Sequence, residues 1–196
     1  MWNLILVYIS FLLFIVYNSV AIGIFGVPRS MSKTYYLYED LHKGLGWIFT
    51  GFMWIMALTL LPGWISIATA LGSWLSYFTF LAFITCAGIA FVGTAPRYYD
   101  EFEEPVHMTA AKICAGSALL WCFLVSWNVW YIPMIFGAGI ASLIGALTKT
   151  WGSARDYWLE MIAFDATFLT IIVEGIIPYI VQIENILANT FNLMLS

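Results

Sequence analysis

One histidine, two serines and one glutamate supply the residue types that nucleophilic catalysis needs. Ser30 and Ser32 lie in the polar segment after the first apolar stretch, and His107 follows an acidic segment later in the chain. A serine hydroxyl beside an imidazole, with an acid to orient the ring, performs acyl transfer in many enzymes. The sequence therefore offers Ser30 or Ser32, His107 and Glu104 as a catalytic set for modifying a lipid.

The same residues also have structural interpretations. Serines that follow a proline, as here, are more often helix caps than nucleophiles. Glu104 and His107 are three residues apart, a spacing found in Glu-x-x-His metal sites, but Pro105 disfavours helix at Glu104 and only one copy is present. The only other histidine is His42, whereas a catalytic zinc normally takes three protein ligands. We therefore predict neither a metal nor a cofactor.

Three ionisable residues fall inside apolar stretches, where charges are costly and often functional. Lys112 and Asp165 lie at similar depths from the same side, so the sequence predicts that they form an ion pair. Glu174 is followed by Gly175 and Pro178, and a proline crowds the carbonyl four residues before it, which predicts a kinked helix. An ionisable group at a broken turn is a common way to build a cation or proton site. Glu174 and Asp165 thus support a channel or transporter hypothesis.

Composition indicates the solvent in which these residues act. Of the 196 residues, 63% are apolar and 9% are charged, and the mean hydropathy is +0.92. So few charges cannot cover the surface of a globular protein in water, so lipid must contact most of the surface. The net charge of −4 excludes a nucleic-acid partner, which needs a basic stripe. The three cysteines lie in apolar runs and predict packing residues rather than disulfides.

Six apolar segments have the length of membrane-spanning helices. A helix needs roughly 20 residues to cross the hydrocarbon core. The segments lie at about 3–27, 45–70, 74–95, 109–128, 130–147 and 160–183. We therefore predict an all-α integral membrane bundle of six transmembrane helices that forms a single domain over residues 1–196. The connections near 71–73 and 128–131 are very short and predict helical hairpins.

The basic residues all fall on one side of this arrangement. They lie in or beside the first, third and fifth connections: Arg29, Lys33, Lys43, Arg97, Lys112, Lys149 and Arg155. By the positive-inside rule, that face lies in the cytoplasm and both termini lie outside. This face is also where we expect a protein partner.

The fifth predicted span carries small residues at helical spacing. Gly137, Ala141 and Gly145 lie at i, i+4 and i+8, which lets helix backbones approach closely. This stripe predicts either a seam between copies of the chain or packing within the bundle.

Two motifs open the second and fourth predicted spans. The first is Pro28-x-Ser30-x-Ser32-x-x-Tyr35 followed by Gly46-Trp47-Ile48-Phe49, and the second is Gly93 through Pro96 followed by Val106-His107-x-x-Ala110-Ala111. In this order they resemble the six-span membrane family that contains the autophagy modulator DRAM and the GPI-anchor remodelling proteins, and uncharacterised bacterial and phage six-span proteins. The resemblance covers roughly residues 25–50 and 91–112. It implies a role in handling lipids, carried by His107 and Ser30 or Ser32.

Three functions remain open from the sequence. The leading hypothesis is a lipid-embedded accessory protein with a cytoplasmic interaction face, because three polar connections share one side and no catalytic set is complete. The alternatives are an ion or proton channel that uses Glu174 and Asp165, and a lipid-modifying enzyme centred on His107. The expected location is the bacterial inner membrane.

Overall fold

The computed structural model describes residues 2–97, 99–126, 140 and 143–195, and every regular element in these ranges is helical. In chain order these are α1 (Trp2–Phe25), α2 (Lys33–Leu41), α3 (Trp47–Ala70), a 3-10 helix (Ser73–Phe78), α4 (Thr79–Thr94), α5 (Glu104–Ser126) and α6 (Arg155–Leu195). Within these described ranges, four stretches are long and apolar enough to cross a membrane: Trp2–Phe25, Trp47–Ala70, Ser76–Thr94 and Glu104–Val125. The chain therefore forms the all-helical, membrane-type structure that its composition predicts.

These four stretches correspond to the first four predicted spans. Most of the fifth predicted span, 130–147, lies outside the described residues, and its last part, 143–147, is helical. The sixth predicted span, 160–183, lies within α6, which has 41 residues. At about 1.5 Å per residue, α6 is roughly 60 Å long, twice the thickness of the hydrocarbon core.

The core forms around α3, which packs against α1 on one side and α4 on the other, while α5 packs on α4. Buried hydroxyl groups join neighbouring helices inside this core. Ser10 of α1 and Thr59 of α3 share a hydrogen bond of 2.6 Å, and Thr85 of α4 and Ser117 of α5 share one of 2.7 Å. Such bonds between small side chains are typical of helices that associate in lipid.

Two glycines allow α4 to lie close to both of its neighbours. A Cβ added at Gly88 would lie 2.8 Å from the Cβ of Cys114 on α5, and one added at Gly93 would lie 2.7 Å from the Cβ of Met53 on α3. Any larger residue at these positions would push the helices apart. The glycines therefore fix the spacing of α3, α4 and α5.

Gly145 is packed inside the chain. A Cβ added there would lie 2.8 Å from the ring of Trp151 and 3.2 Å from the ring of Trp158. Gly137 and Ala141, the other two members of the predicted stripe, lie outside the described residues. At Gly145 the stripe thus serves packing within the bundle.

Three connections meet at one end of the bundle, which we call the polar end: residues 26–46, 95–103 and 148–154. The backbone N–H of Tyr99 donates to the Tyr36 hydroxyl at 3.1 Å, and Lys33 Nζ lies 4.9 Å from the centre of the Tyr36 ring. The backbone N–H of Tyr157 donates to the carbonyl of Arg29 at 2.9 Å. These contacts join the first connection to the third and to the start of α6, as the shared side of the basic residues predicts.

Candidate functional site

The site begins where the chain leaves α1. Gly26 adopts a positive φ of +73°, and its N–H donates to the carbonyl of Ile22 at 2.8 Å, which ends the helix. Pro28 then prevents the helix from resuming, and the chain turns until α2 begins at Lys33. The turn places Ser32 directly before α2, with its side chain buried.

The second part of the site is formed by the end of α4 and the start of α5. Pro96 disfavours helical geometry at Ala95, so α4 ends at Thr94 and the carbonyl of Ala95 is released from the helix. Pro105 lies in the first turn of α5, where a missing N–H is tolerated. One turn of helix then brings His107 into the bundle, 4% exposed.

Ser32 and His107 form a buried hydrogen-bonded dyad. The distance from Ser32 Oγ to His107 Nε2 is 3.0 Å, and the distance from His107 Nδ1 to the carbonyl oxygen of Ala95 is 2.8 Å. A carbonyl oxygen can only accept, so Nδ1 carries the proton and Nε2 accepts from the serine hydroxyl. This is the arrangement of a nucleophile, a general base and a group that orients the base.

A carboxylate that the sequence analysis did not single out lies beside the dyad. Glu160 Oε2 accepts a hydrogen bond of 2.5 Å from the backbone N–H of Met31, the residue before Ser32. The residue was overlooked because a carboxylate at the start of a predicted span is ordinarily solvated. Its spacing from Ala163, Phe164 and Thr167, at i+3, i+4 and i+7, places it on the buried face of α6 and was the signal available.

Two tyrosines from other helices hold the segment that carries Ser32. Thr34 Oγ1 donates to the carbonyl of Met31 at 2.6 Å, so the Tyr17 hydroxyl must be the donor in its 2.5 Å hydrogen bond to Thr34. The backbone N–H of Tyr157 donates to the carbonyl of Arg29 at 2.9 Å, and the Tyr157 hydroxyl donates to Asn18 Oδ1 of α1 at 3.1 Å. Together with the Glu160 contact, α1, α5 and α6 all bind the segment from Arg29 to Thr34, and this fixes the position of the Ser32 hydroxyl.

A cavity of about 100 Å³ opens beside the dyad. Ser32 and Glu160 line its polar part, and the rest of its wall is almost entirely apolar, contributed by α3, α4, α5 and α6. A nucleophile at the end of an apolar cavity is suited to a substrate whose reactive carbonyl is attached to a hydrocarbon.

The structure separates the other predicted catalytic residues from this pair. Ser30 Oγ accepts from the backbone N–H of Lys33 at 3.3 Å, so Ser30 caps α2. The side chain of Glu104 is exposed, and Glu103 pairs with Arg97 at 3.2 Å. Where the chain is described, no three His, Cys, Asp or Glu side chains come together as a metal site. Of the predicted set, the fold brings together Ser32 and His107.

The predicted ion pair between Asp165 and Lys112 is wrong. Lys112 is exposed on α5 and Asp165 is half-buried on α6. In the described ranges, ion pairs join Arg97 to Glu103 and Arg155 to Asp156, and no pair joins these two residues. Matching depths in two helices do not fix which faces the helices turn toward each other, and this caused the error.

Glu174 lies away from the cavity. It is 9% exposed, and α6 is helical on both sides of it, so the kink expected at Pro178 stays a prediction. The cavity-lining residues of α6 end at Phe168, six residues before Glu174.

A third carboxylate, Glu39, lies outside the spanning helices at the polar end. Its Oε2 accepts from the N–H of Gly44 at 2.8 Å and its Oε1 accepts from the N–H of Gly46 at 3.0 Å. The hydrogen bond from Gly44 is the main cause that lowers the pKa of Glu39 below its usual range. Glu39 thus closes the turn between α2 and α3.

Comparisons of the chain with protein-family models, with curated proteins and with solved structures found no match. The geometry and chemistry of the site are therefore the evidence for function.

Proposed function

We propose that this protein is a membrane-embedded serine hydrolase that cleaves an acyl ester of a lipid. The observation that carries the proposal is the 3.0 Å hydrogen bond from Ser32 to a His107 ring whose proton is fixed on Nδ1 by Ala95. The sequence favoured an accessory protein because three polar connections share one side and no catalytic set is complete. The juxtaposition of Ser32 and His107 at an apolar cavity supports the enzyme hypothesis instead.

The reaction follows from the positions of the protons. Ser32 Oγ attacks the acyl carbon while its proton passes to His107 Nε2, and a bond forms between Oγ and that carbon. The bond to the leaving alcohol then breaks, and His107 returns the proton to the departing oxygen. Water next attacks the acyl-Ser32 ester with His107 again as base, which releases a carboxylic acid and restores the serine.

Two further groups support this chemistry. The backbone N–H of Ser32 makes no hydrogen bond with any described residue, so it is available to a developing oxyanion. Glu160 holds the preceding residue and acts as a positioning residue in this mechanism.

The test compares two serines of the same turn. An alkyl fluorophosphonate should label the wild-type protein covalently, and Ser32→Ala should abolish the labelling because the attacking oxygen is gone. Ser30→Ala is the matched control and should be labelled like wild type, since Ser30 only caps α2. Labelling of Ser32→Ala at the wild-type rate, or a label mapped to a residue other than Ser32, would overturn the proposal.

The proposal includes a position in the membrane. We infer six spans with the polar end in the cytoplasm and both termini outside, because all seven Lys and Arg residues lie in or beside the first, third and fifth connections. The site then lies near the cytoplasmic surface of a bacterial inner membrane, where water can reach Ser32 from the polar end. Reporter fusions after residue 43 and after residue 72 should report opposite sides of the membrane; the same side for both would contradict this topology.

A further inference from the structure

The cavity beside Ser32 has one polar end and one closed end. Ser32 and Glu160 line the first, and Leu60 and Trp64 of α3 line the second. Along α3 the lining runs from Phe49 to Trp64, which are 15 residues apart in the sequence. At about 1.5 Å per helical residue, this corresponds to a length of roughly 20 Å.

The width of the cavity is set by small side chains on α5. Ala111, Ala115 and Ala118 line it together with Cys114, so this side of α5 leaves space where larger residues would fill it. The opposite wall is made of bulky side chains, among them Met53, Phe164 and Phe168. Small side chains on one wall and bulky ones on the other favour a narrow channel over a chamber for a head group.

Two tryptophans block the far end. Trp64 and Trp121 are both fully buried, and their rings meet edge to face with 5.2 Å between centres. Trp64 lines the cavity and Trp121 packs behind it. Large rings held in this way cannot move aside easily, because the interior is densely packed.

We propose that the cavity binds one straight acyl chain of the lipid, with its carbonyl carbon at Ser32 and its terminal methyl group against Trp64, so that Trp64 sets the chain length. This inference rests on the proposed function for the position of the carbonyl carbon. The length is sufficient, because the hydrocarbon core of about 30 Å is two acyl chains deep and one chain therefore spans about 15 Å. The volume of about 100 Å³ is smaller than that of such a chain, so the side chains along the wall must move apart as the chain enters. The apolar lining supplies the free energy of binding by removing methylene groups from contact with water during transfer.

A binding experiment tests the cavity without any reaction. Ser32→Ala in lipid nanodiscs is incubated with two palmitic acid analogues, one with a diazirine near the carboxyl group and one with a diazirine at the chain terminus. After illumination, the terminal analogue should cross-link at Leu60 and Trp64, and the other near Phe49 and Val92. Cross-links in the reverse order, or only on exposed side chains such as Leu12 and Leu58, would overturn the proposed binding mode.

A second experiment tests the role of Trp64 with matched variants. Alkyl fluorophosphonates with chains of about 8 to 18 carbons label the wild-type protein with an optimum near the length of the cavity. Trp64→Ala should raise the labelling rate of chains longer than that optimum about tenfold relative to shorter ones. Trp64→Phe keeps a smaller ring, so its profile should lie between those of wild type and Trp64→Ala. Trp54→Ala, at a 43% exposed position of the same helix, is the control for the loss of a tryptophan and should keep the wild-type profile.

The outcomes separate this inference from the proposed function. An unchanged length profile in Trp64→Ala overturns the role of Trp64. A profile altered by Trp64→Phe as strongly as by Trp64→Ala also overturns it, because the length limit would then not follow the size of the side chain. If fluorophosphonates label no variant, the hydrolase proposal fails, while the cross-linking pattern still decides whether an acyl chain occupies the cavity.

Discussion

The polar end and the far end of the bundle treat buried polar groups in opposite ways. At the polar end, Ser32, His107 and Glu160 each have a hydrogen-bond partner on another segment of the chain. At the far end, the indole N–H groups of Trp64 and Trp121 are buried and have no partner in the described parts of the chain. A buried donor without a partner costs about 1–3 kcal/mol. The polar end is therefore organised to hold atoms in place, and the far end to provide bulk and shape.

Glu160 and Glu174, the two carboxylates on one face of α6, differ in the same way. Glu160 accepts from a backbone N–H beside the nucleophile, whereas no hydrogen bond is found between Glu174 and a described residue. Glu174 was predicted to be functional because it is an ionisable residue within an apolar stretch. A partner on a neighbouring segment is what distinguishes a functional carboxylate here, and this difference can be measured.

The largest effect should come from replacing His107 at the polar end with glutamine, whereas the same replacement at Glu174 should have almost no effect. His107→Gln removes the base and should lower hydrolysis about 10³-fold, because proton transfer from Ser32 is lost. Glu174→Gln should leave the rate within about twofold of wild type, since Glu174 contacts neither the dyad nor the cavity. Hydrolysis rates in nanodiscs measure both. Equal losses in the two variants would remove the distinction between the two ends.

A smaller effect should show whether Glu160 positions Ser32 or takes part in the reaction through its charge or a proton. Glu160→Ala removes the acceptor for Met31 N–H and should lower kcat about 10-fold to 100-fold with little change in KM, because Ser32 loses its fixed position. Glu160→Gln keeps an acceptor oxygen and should restore most of the rate. If Glu160→Gln is as slow as Glu160→Ala, the charge or a proton of Glu160 takes part in the reaction, and the positioning role is wrong.

The sequence predicted the features that depend on neighbouring residues better than those that depend on contacts between distant residues. Apolar runs of about 20 residues predict spanning helices locally, since crossing a membrane imposes a fixed length, and the first four were found. Gly26 and Pro96 lie one and two residues beyond the ends of α1 and α4, and Pro28 lies three residues beyond the end of α1. The side on which the basic residues lie can also be predicted locally, because each connection carries its own Lys and Arg residues.

The site could be predicted only in part because it depends on helix rotation. Ser32 and His107 were both singled out, but their pairing needs the faces of α2 and α5 that only packing determines. The same uncertainty produced the wrong pair of Asp165 with Lys112, which had the right depth and the wrong face. Close packing at Gly88 and Gly93, which sets those rotations, depends on the shape of the neighbours and cannot be read from one sequence.

A still smaller effect should follow from loosening the contact of the Tyr157 side chain with α1. We call this contact the clamp, because the backbone N–H of the same residue holds Arg29 in the segment before Ser32. Tyr157→Phe removes the hydrogen bond to Asn18 Oδ1, which should cost about 1 kcal/mol of stability. Thermal unfolding in detergent should then shift down by a few degrees, and labelling by fluorophosphonate should slow slightly. Tyr77→Phe, at a position 80% exposed, is the control and should change neither. A stable Tyr157→Phe with unchanged labelling would show that the dyad does not depend on this clamp.

The smallest expected effect concerns Glu39, whose partners lie in the solvated turn rather than in the bundle. Because the N–H of Gly44 lowers the pKa of Glu39, its contribution to stability is complete above the unfolded value of about 4.3 and is lost as the pH falls through the lower folded value. Glu39→Gln replaces the carboxylate by a weaker acceptor, so its melting temperature should lie slightly below wild type near neutral pH. The two should converge in acid, since protonated Glu39 is a similarly weak acceptor. A difference in melting temperature that persists unchanged in acid would show that the charge of Glu39 does not stabilise the turn. Charged hydrogen bonds would then hold the chain in place inside the polar end but not in its exposed connections.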